Sequence, residues 1–172
     1  MTPEFSREID AETISEVARR FDIGADENER RRLAGRFRLI GIDRLSAEVS
    51  LQRRAGIIHA EGVVEARVTQ ACVVTDEPLA AQVKAPFHVR YVPDALAGDD
   101  DEEVELSEED CDTLPLNGSR IDLGELAAET LALTLDPYPR SPGADAAMRA
   151  RETEQGEDAG PFAALKALKD KL

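Results

Sequence analysis

The chain has 172 residues with 36 acidic and 21 basic side chains, a formal net charge of −15; this suits one domain plus a tail and is long enough to bury a core. Its 42% hydrophobic content excludes a wholly disordered chain, and 4% aromatics makes the expected core aliphatic. No apolar run of about 18 residues is present, so no membrane-spanning helix is expected, and two cysteines argue against a disulfide scaffold and suit a reducing cytosol.

The first ten residues, M-T-P-E-F-S-R-E-I-D, are polar and acidic and are not read as a secretory signal. Within them, residues 5–9 can add a strand. Two helical pieces are predicted next, over 13–20 and about 26–37. The second has Leu33 and Phe37 four apart as its buried stripe, which puts Arg30, Arg31 and Arg32 on its exposed side. From residue 29 to 54 eight arginines stand against three acids. A chain this acidic repels bulk polyanions at long range, so direct RNA contact requires such a local patch. Arg30, Arg31, Arg32, Arg36, Arg38, Arg53 and Arg54 are therefore the candidate phosphate contacts.

Three segments then alternate with period two. Leu45, Ala47, Val49 and Leu51 share a face; so do Ile58, Ala60, Val64, Ala66 and Val68; so do Leu79, Ala81, Val83, Ala85, Phe87, Val89 and Tyr91. One apolar face per strand marks an antiparallel sheet with one wet side. Gly62 is read as a bulge or a point of close approach, and Pro86, which has no N–H to give, as lying on a sheet edge.

Residues 94–112 carry eleven acids and no base and are expected to form an acidic loop. Its role is solubility, mimicry of nucleic acid, or docking on a basic partner. Asp122 is a good N-cap with Glu125 three residues on, as in a capping box. Leu123, Leu126, Ala127, Thr130 and Leu131 follow at helical spacing, and Asp136-Pro137 with Pro139 ends the helix. Residues 141–160 read as a flexible linker, and 161–172 as a short tail helix that docks on its own domain or on another molecule. The whole is expected to be α+β: an antiparallel meander covered on one face by helices, forming one domain over 1–140.

Catalytic chemistry finds little footing. The histidines are His59 and His88, on the polar faces of neighbouring strands; they could meet, but two ligands are too few for a metal site. No phosphate loop, G-x-S-x-G or H-E-x-x-H occurs, and the acidic loop is too irregular to suggest a metal-dependent nuclease. No enzyme, cofactor, metal or small-molecule substrate is expected.

Three blocks resemble the YceD family, the large ribosomal RNA subunit accumulation proteins: V-T-Q-A-C-V-V-T-D-E-P-L-A-A-Q-V-K-A-P-F-H-V-R-Y-V-P, then I-D-L-G-E-L-A-A-E-T-L-A-L-T-L-D-P-Y-P-R, then P-F-A-A-L-K-A-L-K. The hairpin block is similar to the alphaproteobacterial branch. The matched family positions are Cys72, Pro78, Asp122, Leu123, Glu129, Leu131, Pro137, Pro139, Pro161 and Phe162. Many members carry a second cysteine three residues after the first, a knuckle that could bind zinc; Thr75 stands there in this chain, a poor ligand, and Cys72 is then expected to be a small buried apolar residue. The resemblance implies a cytoplasmic, non-catalytic ribosome-biogenesis factor that binds large-subunit precursor rRNA or a basic ribosomal protein. The alternative is an acidic interaction module that docks a basic partner without touching RNA.

Overall fold

Alternating apolar residues build the sheet that carries everything else. In the computed structural model the described residues are 3–93, 112–116 and 118–155; most of the acidic stretch and the tail at 161–172 lie outside them. The elements are β1 (Glu8–Asp10), a 3-10 turn (Ala11–Thr13), β2 (Arg19–Gly24), α1 (Glu27–Arg36), β3 (Gly41–Arg54), β4 (Ile57–Ala71), β5 (Pro78–Pro93), β6 (Thr113–Leu116), β7 (Arg120–Asp122), α2 (Leu123–Thr134) and α3 (Ala144–Gln155). They divide into two compact units, Met1–Thr69 with Ala80–Leu135, and Gln70–Leu79 with Asp136–Leu172.

The first unit is α+β. Its five-stranded sheet has the order β2-β3-β4-β5-β6. The β3–β4 register sets Leu45 against Ala66, Ala47 against Val64 and Leu51 against Ala60. These residues are all buried, and α1 and α2 both pack on β3. Leu33 of α1 and Leu131 of α2 join that core with no exposed surface. Each such side chain contributes about 1.5–3 kcal/mol by leaving water.

The helix predicted over 13–20 does not form. Its carbonyls are taken by β3 instead: the Arg53 N–H donates to Ser15 O at 2.8 Å and Gln52 Nε2 to Glu16 O at 2.7 Å. The chain goes on as β2, whose Phe21 and Ile23 pair with Val49 and Ala47 of β3. The strand expected at 5–9 lies at Glu8–Asp10 and pairs antiparallel with β7. β6 runs parallel to β5 and, among the described residues, meets it at Arg90–Pro93. Pro86 therefore sits on a stretch of β5 with no described partner on that side, as its missing donor requires.

Gly62 marks a close approach, not a bulge; the β3–β4 irregularity lies at Ile42/Arg44. A Cβ on Gly62 would stand 2.1 Å from the Glu48 carbonyl oxygen and 2.8 Å from Phe87 Cζ. Backbone cannot step aside as a flexible side chain can. Gly62→Ala is expected to lower stability by about 1–3 kcal/mol, seen as a lower urea midpoint at constant m; an unchanged midpoint would mean that the ladder yields freely.

In the second unit, residues expected to be linker form α3. The run A-D-A-A-M-R-A-R-E-T-E-Q contains neither Gly nor Pro and is rich in strong helix formers. It lacks a large apolar stripe, which is why its composition also reads as linker.

Candidate nucleic-acid interface

α1 forms because Asp26 and Glu29 close a capping box: the Glu29 N–H donates to Asp26 Oδ1 at 2.9 Å and the Asp26 N–H to Glu29 Oε2 at 2.8 Å. The arginines of this region are not a uniform free patch. Arg30 donates to the carbonyls of Ile42 (3.2 Å) and Ala25 (2.7 Å). Arg53 donates to those of Ile14 (3.0 Å), Gly56 (3.3 Å) and Ala11 (2.6 Å). Arg36 forks onto Glu125 at 3.0 and 2.6 Å and also reaches Glu4 at 3.2 Å; these carboxylates raise its pKa further. Arg31 pairs with Glu27 at 2.9 Å in the open, and Arg54 donates twice to Gln52 Oε1. Of the seven, the side chains of Arg32 and Arg38 make no hydrogen bond or ion pair with a described residue. Glu125 thus serves Arg36 and does not complete a capping box with Asp122.

The other candidate surface is the wet face of the sheet. Lys84 pairs there with Glu65 at 2.9 Å. His59 Nδ1 lies 3.2 Å from His88 Nε2 with the rings stacked at 18°, so the two histidines do meet across strands. Burial, then the positive charge of Arg54, holds the His59 pKa down. Among the described residues no group of three or more His, Cys, Asp or Glu side chains could hold a metal. No helix among them is long and apolar enough to cross a membrane.

In the second unit Cys72 is buried, but its surroundings are polar, contrary to expectation. The Ser141 N–H donates to its Sγ at 3.2 Å, and the Ser141 hydroxyl lies 3.7 Å away. Hydrogen bonding by Thr75 above all pulls the thiol down to about 6, against burial. Thr75, where a zinc knuckle would have its second sulfur, bonds Glu77 at 2.9 Å and lies 3.3 Å from the Ser141 hydroxyl. Two more bonds run alongside, Gln70 Nε2 to Asp136 O (2.8 Å) and Val73 N to Pro139 O (2.9 Å). The hairpin tip and the proline-rich segment after α2 are thus strapped together, which brings parts of two of the sequence blocks into contact.

Residues 60–169, more than half of the chain, match the family model described as large ribosomal RNA subunit accumulation protein YceD. The chain belongs to the YceD family. No curated protein matches it, and no solved structure does.

The positions matched to the family by sequence resemblance, where the structure describes them, have structural surroundings. Asp122 caps α2; Leu123 and Leu131 are fully buried. Pro78 opens β5, and Pro137 and Pro139 follow α2 in the strapped segment. Glu129 lies on the exposed side of α2, where partial loss of water around its carboxyl and then Glu125 raise its pKa. Pro161 and Phe162 lie outside the described residues.

Proposed function

We propose that this chain is a non-catalytic, cytoplasmic factor of ribosome biogenesis that supports accumulation of large-subunit ribosomal RNA by binding precursor rRNA, a basic ribosomal protein, or both. The observation that carries it is the YceD match over residues 60–169. Among Arg30, Arg31, Arg32, Arg36, Arg38, Arg53 and Arg54, the reading favours Arg32 and Arg38 for RNA contact, because their guanidinium groups are not spent on described partners. A second reading draws on the net charge of −15: the acidic stretch 94–112 docks a basic protein without RNA contact.

The test is a sucrose-gradient profile of a strain lacking the gene, with the protein followed across the gradient in the parent. Loss of free large subunits, with the protein migrating beside large-subunit precursors, is the expected result. A normal profile with the protein only at the top of the gradient would overturn the assignment. Deleting residues 99–110 separates the two modes: it abolishes co-purification with a basic partner under the second reading and spares it under RNA contact.

A further inference from the structure

Arg44 of β3 and Arg67 of β4 are direct partners across the ladder, just past the register shift at Ile42/Arg44. Like charges set opposite one another on a sheet repel. Both are exposed, and the side chain of neither donates a hydrogen bond to a described residue. In a chain with 36 acids the pair could readily have been given a carboxylate each. Glu65 answers first to Lys84 and only then to Arg44, and Asp22 and Glu48 line the neighbouring recess beside Arg44. Between these groups lies a recess of about 210 Å³ lined by Arg44, Arg67, Lys84, Gln82, Glu65 and Ala66. It adjoins a second of about 190 Å³ that shares Arg44 and Glu65.

We propose that this recess on the wet face of the sheet takes phosphate groups of a single-stranded RNA segment, an assignment that rests on the reading that the chain binds precursor rRNA. Three cations face one carboxylate there. Guanidinium forks match phosphate oxygens two at a time, so a shared phosphate would convert the Arg44–Arg67 repulsion into a clamp. A protein partner fits less well, since no exposed large apolar side chain lines the recess and protein interfaces anchor on such groups.

The experiment is fluorescence anisotropy of labelled oligouridine with the full chain, titrated between about 50 and 200 mM salt. If both arginines meet phosphates, the slope of log K against log salt becomes shallower by about 1.4 in the Arg44→Gln/Arg67→Gln variant, and by about 0.7 in Lys84→Gln. Matching thermal melts for wild type and variants establish that the fold is intact. Wild-type binding with an unchanged slope in both variants would overturn this surface and leave RNA binding elsewhere on the chain. Absence of oligouridine binding by the wild type would overturn the surface and the RNA reading together. An unchanged slope with lost co-migration beside large-subunit precursors would assign the face to a protein partner, again overturning the proposal.

Discussion

Asp122→Ala is expected to lower stability by about 3 kcal/mol, because one carboxylate serves four donors from two distant parts of the chain. Its Oδ1 accepts from the N–H groups of Gly124 (2.9 Å), Glu125 (3.2 Å) and Arg7 (2.7 Å), and its Oδ2 from the Ser6 hydroxyl (2.5 Å). Loss of an N-cap costs about 0.5–2 kcal/mol, and hydrogen bonds to a charged group carry about 1.5–3 kcal/mol each, without simple additivity. The Arg7 and Ser6 donors would also be left part-buried and unanswered. The neighbouring glycine belongs to the same device: a Cβ on Gly124 would stand 2.6 Å from the Phe5 carbonyl oxygen, so the I-D-L-G run holds the N-terminal segment against the start of α2. Asp122→Asn, which keeps one acceptor, should recover part of the loss. Urea denaturation measures both variants; a cost below about 1 kcal/mol for the alanine variant would refute the hub. Such a variant lowers the amount of folded protein.

That hub shows where sequence reading succeeds and where it stops. The cap at Asp122 and the period-two runs of β3, β4 and β5 are local, so they could be read directly, whereas the capping box falls at Asp26 and Glu29 and not at Asp122 and Glu125. β2 offers only Phe21 and Ile23 as inward residues and follows Ile14 and Val17 at helical spacing; its identity comes from its pairing with β3. β1 and β7 have three residues each and exist through each other. The Arg36–Glu125 fork joins positions 89 apart, and no local pattern could reveal that it removes Arg36 from a free patch. Arg30 and Arg53 mislead in the same way, since an arginine spent on backbone carbonyls looks in sequence like one offered to phosphate. At Cys72 the sequence supplied burial, while the polar cradle depends on Ser141, 69 residues away. The candidate site was legible as a regional excess of arginine, not as the identity of the arginines left available.

Glu29 gives the second large effect, and it carries a pH signature. Its carboxylate accepts from Arg7 Nη1 at 2.7 Å and Nη2 at 3.0 Å while closing the capping box with Asp26. It is 8% exposed, so its charge is tolerable only because Arg7 answers it. The Arg7 hydrogen bonds hold its pKa below the usual carboxylate value, against burial. A depressed folded pKa means stability that is fully present above the unfolded value of about 4.3 and lost as pH falls through the folded one. Glu29→Gln, which cannot accept on both sides, is expected to cost about 2–3 kcal/mol at neutral pH, less than a fully buried pair would because Arg7 is partly in water. The gap to wild type should narrow steadily below about pH 4, as the wild type gives up the same interaction. Asp26, whose pKa is also lowered, chiefly by the Glu29 backbone N–H, makes the wild type acid-sensitive in the same direction, so the deciding quantity is the difference between the two proteins. Urea midpoints at several pH values measure it; a gap that stays constant from neutral to acid pH would show that the Glu29 charge contributes nothing and that only its shape is needed.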